Sequence, residues 1–172
     1  VVFGATISGR PAEVPGVEEM VGLFINTIPV KVTFGEELNI AESLATLHDS
    51  FQRSTEHGYL SLVDIQRHSG VRTGISLFDS LLAFENYPLD AMDQAVAAPD
   101  AERLTMENIG NTEQTNYKLS LSAALDTLLR VRMGCRGEDF ARATAERMRD
   151  HLRRVLVQLP VAVEWNVRPD PL

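Results

Sequence analysis

The chain has 172 residues, of which 44% are apolar and 23% charged, a composition typical of one soluble globular domain. No apolar run approaches the roughly 20 residues of a transmembrane helix, and no secretory signal is recognisable at the start. The net charge of −8 disfavours nucleic acid as a partner, since acidic proteins repel phosphate backbones, and one lone cysteine is typical of a reducing, cytoplasmic location.

The first third of the chain predicts two strands with a helical turn between them. Residues 1–7 are apolar and β-branched, which predicts a strand buried on both faces. Because this strand begins at the first residue, we expect the chain to be part of a longer protein. Pro-Gly at 15–16 predicts a short helical turn over 17–21, and alternating apolar residues predict a second strand over 28–34.

Helical signals follow the second predicted strand. Asn39 and Glu42 form a capping-box pattern, and apolar residues then recur at helical spacing, which predicts a helix over 40–57 that Gly58 ends. A shorter helix is predicted from residue 61 to the glycine at position 70.

The second half of the chain predicts more strands. Residues 80–86 read as a strand that a Tyr-Pro pair ends, and Ala-rich residues 89–101 as an exposed loop or arm. Three further strands are expected over 103–109, 117–124 and 127–135, with a hairpin turn at 124–126 joining the last two.

A final helix is predicted over 140–158. One apolar stripe runs along it, Pro160 is expected to stop it, and residues 161–172 are expected to begin a linker. The stripe consists of Ala141, Ala145, Met148, Leu152, Val155 and Leu159. Strands alternating with helices predict an α/β fold, a mixed sheet with flanking helices.

No catalytic constellation is visible in the residues themselves. The four histidines are isolated from one another and none has metal-ligand spacing, so we expect no metal site. The chain contains no nucleophile elbow, phosphate-binding loop or dinucleotide fingerprint. Residues 1–124 hold 17 acidic and 7 basic side chains, whereas 125–172 hold 7 and 9. Arginines 147, 149, 153 and 154 therefore form either a partner contact or a solvated helix face.

Two segments resemble the condensation domain of non-ribosomal peptide synthetases. Residues 4–30 carry the family's G-x-F-[IV]-N-T pattern, and residues 76–88 match its L-F-D…F-E-N-Y-P pattern residue for residue. The first pattern is met by Gly22, Phe24, Ile25, Asn26 and Thr27. Residues 114–117 resemble a late segment of the family. His57 falls at a histidine-containing motif, from which Gly58, Ser61 and Leu62 depart.

The resemblance implies that residues 1–160 form the C-terminal lobe of the two-lobed chloramphenicol-acetyltransferase-like fold. In such domains, carrier proteins deliver phosphopantetheine thioesters to a tunnel between the lobes, and the acceptor amine attacks the donor thioester to form an amide. The family's active-site motif, H-H-x-x-x-D-G, belongs to the N-terminal lobe and does not occur in this chain. No catalytic residue and no directly bound cofactor are therefore expected here, and the chain alone is expected to be inactive.

The same resemblance implies partners and further roles. The partners are the N-terminal lobe, the donor and acceptor carrier proteins and, through the linker, a downstream adenylation domain, with neither nucleic acid nor a membrane involved. Residues 8–27 resemble the tunnel floor, and about 89–113 the latch that reaches over the other lobe. Phe24, Asn26 and Thr27 are expected to line the tunnel, although Asn26 equally suits a turn cap.

Two residues near the end of the first strand are candidates for binding the pantetheine phosphate. Ser8 and Arg10 lie where a tunnel mouth is expected, and a guanidinium suits phosphate, but Arg10 is also explained as an ordinary surface arginine. Asp79 and Glu85 are expected to pair with arginine or backbone groups within the lobe.

Two alternative functions remain open at this point. In the first alternative to condensation, the chain is a non-catalytic module that docks a carrier protein or a neighbouring domain. In the second, it is part of a relative that epimerises or cyclises. The intact run from Phe24 to Thr27 favours plain condensation.

Overall fold

The computed structural model describes residues 1–10, 14–33, 39–72, 74–85, 115–125 and 127–164. Within these residues, five strands form one mixed sheet in the order β2-β1-β3-β4-β5, with three α-helices beside it. The elements are β1 (Val2–Ser8), a 3₁₀ turn (Val17–Glu19), β2 (Ile25–Lys31), α1 (Ile40–Thr55), α2 (Leu62–His68), β3 (Ser80–Glu85), β4 (Leu119–Leu125), β5 (Leu129–Cys135) and α3 (Arg142–Glu164). The predicted α/β class is confirmed.

Strand direction divides the sheet into two hairpins joined by parallel pairs. β1 pairs with β2 and β4 with β5 in antiparallel fashion, while β3 pairs in parallel with both β1 and β4. Because the register is continuous, alternate residues of every strand lie on the same side of the sheet. We call the side that packs against α1 the helix face, and the other side the far face.

The hydrophobic core lies on the helix face, above the first hairpin. Ala5, Ile28 and Val30 are buried there, and α1 packs onto them through Leu47 and Phe51. These two α1 residues are four positions apart, so they lie one turn apart on the same side of the helix. The apolar spacing that predicted α1 therefore corresponds to its buried side.

The far face is covered differently. Phe78, just before β3, is buried and lies over Gly4 of β1, and its ring stacks on Tyr117 with the centroids 5.5 Å apart. A Cβ atom on Gly4 would lie only 2.7 Å from Cζ of Phe78, so any larger residue there would force the ring to move. Burial of β1 on both faces is thus confirmed at its centre, where Gly4 and Ala5 are both buried.

The second strand lies three residues earlier than the sequence predicts. β2 spans 25–31 rather than 28–34, because its pairing with β1 begins where Ile25 faces Ser8. Pro29 is tolerated within it since β2 is an edge strand of the described sheet, and the missing N–H interrupts no inner ladder. Residue 34 lies outside the described residues.

The predicted capping box of α1 is confirmed. The Glu42 amide donates to Asn39 Oδ1 over 2.8 Å, and the Asn39 amide donates to the Glu42 carboxylate over 3.1 Å. The predicted end at Gly58 is wrong, since α1 stops at Thr55 and Gly58 has no positive φ. Gly58 instead provides space for Ile7, whose side chain a Cβ at Gly58 would overlap.

The second helix ends as predicted, whereas the third does not. α2 stops at His68, and Gly70 follows with a φ of 74°. α3 begins at Arg142 and continues through Pro160 to Glu164, so the prediction that Pro160 stops it is wrong. A proline removes one hydrogen bond of the ladder, which a helix of 23 residues accommodates near its end.

Two features of α3 differ from the sequence interpretation. Residues 161–164 continue the helix instead of beginning a linker, and 165–172 lie outside the described residues. Val155, placed on the buried stripe, is exposed, and Leu156 is half-buried in its place.

The last predicted hairpin forms with a slightly displaced turn. Leu125 pairs with Leu129, so residues 126–128 connect β4 and β5, rather than 124–126. β3 is described to Glu85, and the expected arm over 89–101, its longer latch-like range 89–113 and the expected strand over 103–109 lie outside the described residues.

Candidate functional site: the first hairpin and its connecting loop

The residues expected to line a tunnel lie on opposite sides of β2. Asn26 pairs with Ile7 on the helix face, whereas Thr27 pairs with Thr6 on the far face. Side chains of consecutive strand residues point to opposite faces, so a ligand on either side of the sheet meets only one of the two. The prediction grouped Asn26 and Thr27 because both belong to the segment that resembles the tunnel floor; the structure has both within β2.

Asn26 ties β2 to the turn between α1 and α2. Its side-chain amide donates to the carbonyl oxygens of Gly58 over 2.7 Å and Leu60 over 2.8 Å. Its Oδ1 accepts from the backbone N–H of Thr27 over 2.8 Å. Both amide hydrogens and the carbonyl oxygen are therefore engaged by the backbone, which makes Asn26 a clamp that holds the α1–α2 turn against the sheet. The alternative that Asn26 caps a turn correctly gave it a structural role. That alternative placed its hydrogen bonds nearby in sequence, whereas two of the three reach Gly58 and Leu60.

Thr27 and Ser8 share the far face. Thr27 is half-buried beside Thr6, and Ser8 is exposed one row further along, opposite Ile25. The far face of the first hairpin therefore ends in hydroxyl groups at the edge from which the connecting loop leaves.

Arg10 contacts three residues of the loop that connects β1 and β2. Its Nη1 donates to the carbonyl oxygens of Val17 and Met20, the latter over 2.6 Å. Its guanidinium carbon lies 4.1 Å from the centroid of the Phe24 ring, within the range of a cation–π interaction. Thus Phe24 and Arg10, which the sequence assigned to a tunnel wall and a phosphate, contact each other. Nothing in the sequence indicated this pair, because the two residues lie fourteen positions apart.

Beyond this contact the loop exposes apolar side chains. Leu23 is 86% exposed and Val21 is fully exposed, while Val17 at the base of the turn is buried. Gly16 adopts a φ of 73° at the entry to the turn, a conformation that favours glycine. The loop thus combines an anchored base with an apolar tip.

The remaining sequence candidates do not join this site. Asp79 accepts from Lys118 Nζ over 2.6 Å and ties the start of β3 to that of β4, a structural pairing with lysine where arginine or backbone was expected. This hydrogen bond raises the pKa of Lys118. Glu85 is half-buried at the end of β3. His57 is exposed and meets Tyr59 edge-on, with ring centroids 6.4 Å apart.

An ion pair follows β5. Arg136 and Asp139 are hydrogen-bonded across a turn, and this bond lowers the pKa of Asp139 and raises that of Arg136. On α3, Arg149 pairs with the adjacent Asp150 over 2.9 Å, while Arg147, Arg153 and Arg154 are exposed. The α3 arginines are exposed in this chain, which is compatible with both alternatives left open by the sequence.

An apolar cleft of about 500 Å³ lies between α1 and the helix face. Leu44 and His48 of α1 form one wall, and Leu82 and Phe84 of β3 part of the other. The sequence interpretation did not find this cleft, since its walls come from segments far apart in the chain. With one imidazole in its lining, it offers packing surface rather than acid–base chemistry.

Neither a metal site nor a membrane span emerges from the described residues. Within them, no group of three or more side chains could ligate a metal ion. In the same part of the chain, none of the helices combines the length and the apolarity that crossing a bilayer requires.

Comparison with known proteins agrees with the fold. The profile of the condensation domain family matches residues 1–163. The chain is 39% identical over 156 residues to a linear gramicidin synthase of Brevibacillus parabrevis, and 34% identical over 158 residues to a plipastatin synthase of Bacillus subtilis. These alignments cover 91% and 90% of the chain but 3% and 6% of the two synthases.

Solved structures show the same architecture. The first condensation domain of the CDA synthetase superposes with a TM-score of 0.66 at 15% identity, which at this level shows the fold alone. The match covers 98% of this chain and 36% of that structure. The mixed sheet and its helices are thus a recurring unit within a larger protein.

Proposed function

Since the chain belongs to the condensation domain family, we propose that it supplies part of the C-terminal lobe of a domain that forms amide bonds in non-ribosomal peptide synthesis. The observation that carries the proposal is the family match over residues 1–163, supported by identities of 34% and 39% to peptide synthases over nine-tenths of the chain.

In this proposal the chain builds the reaction chamber and another lobe performs the chemistry. The amine of a carrier-bound acceptor attacks the carbonyl carbon of the donor thioester. A C–N bond forms, the C–S bond breaks and the pantetheine thiol leaves. Such a reaction needs the amine positioned, the oxyanion stabilised and hydrolytic water excluded. The H-H-x-x-x-D-G motif of the N-terminal lobe would supply the acid–base groups, and it does not occur in these 172 residues.

The first hairpin and its loop would form the floor of the tunnel. Thr27 and Ser8 on the far face are the polar candidates for lining it, because their hydroxyl groups are directed away from the α1-covered side. Asn26 would act indirectly, by holding the α1–α2 turn against β2.

The partners follow from the same proposal. Donor and acceptor carrier proteins would bring phosphopantetheine thioesters to the two ends of the tunnel, and the N-terminal lobe would complete its walls. The segment after α3 would lead to an adenylation domain, and the assembly would work in the cytoplasm.

The experiment compares the isolated 172-residue chain with the complete condensation domain that contains it. Each is mixed with carrier proteins loaded with donor and acceptor aminoacyl thioesters, and dipeptidyl carrier is measured by mass spectrometry. We expect product from the complete domain and none above background from the chain alone.

The matched control is the complete domain with the second histidine of H-H-x-x-x-D-G changed to alanine, which should fall to the background rate. Turnover by the isolated chain would overturn the assignment of catalysis to the other lobe. A complete domain that binds both carriers without forming an amide would overturn the proposed reaction.

A further inference from the structure

The contacts of Arg10 show a guanidinium that is already engaged by the loop. Both hydrogens of Nη1 have acceptors, the carbonyl oxygens of Val17 and Met20. Val17 opens the 3₁₀ turn and its carbonyl also accepts the Met20 N–H, while Met20 is the residue that follows the turn. Arg10, two residues after β1, therefore ties the first residue of the turn and the residue after the turn to the end of that strand.

The second contact fixes the other side of the loop. The guanidinium lies over the ring of Phe24, immediately before β2, and the Gly9 amide donates to the Phe24 carbonyl over 3.2 Å. The Arg10 side chain thus connects three parts of the loop: the segment that follows β1, the 3₁₀ turn and the residue that precedes β2. Lysine has no planar group that could stack and donate in this way at once.

We propose that Arg10 is a positioning residue, which together with Phe24 locks the β1–β2 loop so that its apolar tip is held in one orientation. The tip is formed by Val21 and Leu23, whose side chains extend into solvent. A loop fixed in advance loses less conformational entropy when it is covered by another surface. That this surface is the other lobe of the domain rests on the proposed function; the locking of the loop does not.

This role differs from phosphate binding in what it requires of position 10. A phosphate site needs a positive charge, so Arg10→Lys would keep most of it and Phe24 would be irrelevant. A lock needs the planar fork and the ring together. Arg10→Lys and Phe24→Leu should then both resemble Arg10→Gln.

The test is hydrogen exchange of the Gly9 and Met20 amides, measured by NMR on the full 172-residue chain. These amides bond to Phe24 and Val17 within the loop. We expect Arg10→Gln and Phe24→Leu each to accelerate their exchange by about tenfold, the effect of losing one interaction with a charged group. The double variant should resemble Arg10→Gln, because Phe24→Leu removes only the ring contact that Arg10→Gln has already removed. Arg53→Gln, at an exposed arginine of α1, is the matched control and should leave exchange unchanged.

A second measurement separates the lock from a phosphate site. If Arg10 holds the phosphate, titration with a phosphopantetheinylated carrier protein should show weaker binding for Arg10→Gln and unchanged affinity for Phe24→Leu. If Arg10 is a lock, the two variants should have the same affinity as each other. Unchanged exchange in Arg10→Gln would overturn the proposal, and so would additive effects in the double variant. Circular dichroism of each variant checks that the sheet is intact. Because exchange is measured without catalysis, a failure of amide formation in the complete domain would leave this result standing.

Discussion

Two ends of the helix face carry similar side chains and have different surroundings. Over the first hairpin, Ala5, Ile28 and Val30 are at most 5% exposed beneath α1. Across the sheet, at the turn of the second hairpin, Leu125 and Leu129 lie on the same face and are about half exposed. Both hairpins alternate apolar and other residues, so the pattern in the sequence is of the same kind in each.

The difference teaches that alternation identifies a face but does not say what covers it. α1 contacts β2 and α3, whereas the apolar residues at the turn between β4 and β5 stay about half exposed. Coverage depends on where a helix from another part of the chain comes to lie. The coverage of each region is therefore tested by substituting pairs of residues that lie on the same face of the sheet but have different neighbours.

The largest expected effect comes from shortening one side chain at each end of the helix face. Ile28→Ala should lower the free energy of unfolding by about 2–5 kcal/mol, because Ile28 is 2% exposed and its loss leaves a cavity. Leu129→Ala, at a residue 49% exposed, should cost less than about 1 kcal/mol. Urea unfolding followed by circular dichroism measures both. Equal costs would mean that the two ends are equally covered in solution.

The next effect uses two glycines in one row of the far face, where Gly4, Leu81, Ser120 and Gly134 follow one another across the strands. Gly4→Ala should destabilise by about 1–3 kcal/mol, since the buried ring of Phe78 has to move. Gly134→Ala places a Cβ 2.6 Å from Ser120 Oγ, and this hydroxyl can rotate away, so a change within about 0.5 kcal/mol is expected. A larger loss at Gly134 would show that the β5 side is as tightly packed as the β1 side.

Local signals in the sequence were sufficient for most elements of the fold. The capping box at Asn39, the glycine after α2 and the apolar spacing of α1 each act within a few residues, and each prediction is confirmed. The errors arose where pairing partners decide. β2 starts three residues early because Ser8 offers a partner to Ile25, and α3 passes Pro160 because one lost hydrogen bond does not end a long helix.

The site was less predictable for the same physical reason. Motif letters indicated the family, yet they placed Asn26 and Thr27 together although strand geometry directs them to opposite faces. The contact between Arg10 and Phe24 and the cleft beside α1 both join residues that are distant in sequence. Such contacts have no local signature, so they become visible only when the register of the hairpin is known.

The smallest expected effect concerns the ion pair that follows β5, at the end of the strand opposite to Leu129. The hydrogen bond from Arg136 lowers the pKa of Asp139 below its ordinary value of 3.8. The pair therefore stabilises the folded chain above that value, and its contribution is lost as the pH falls through the lowered pKa. NMR titration of the Asp139 carboxyl group should show Arg136→Gln moving the pKa upward, while Arg132→Gln, an exposed arginine of β5, should leave it unchanged. Since both partners are in contact with solvent, added salt should weaken the shift. A shift that persists in Arg136→Gln would instead assign it to another cation.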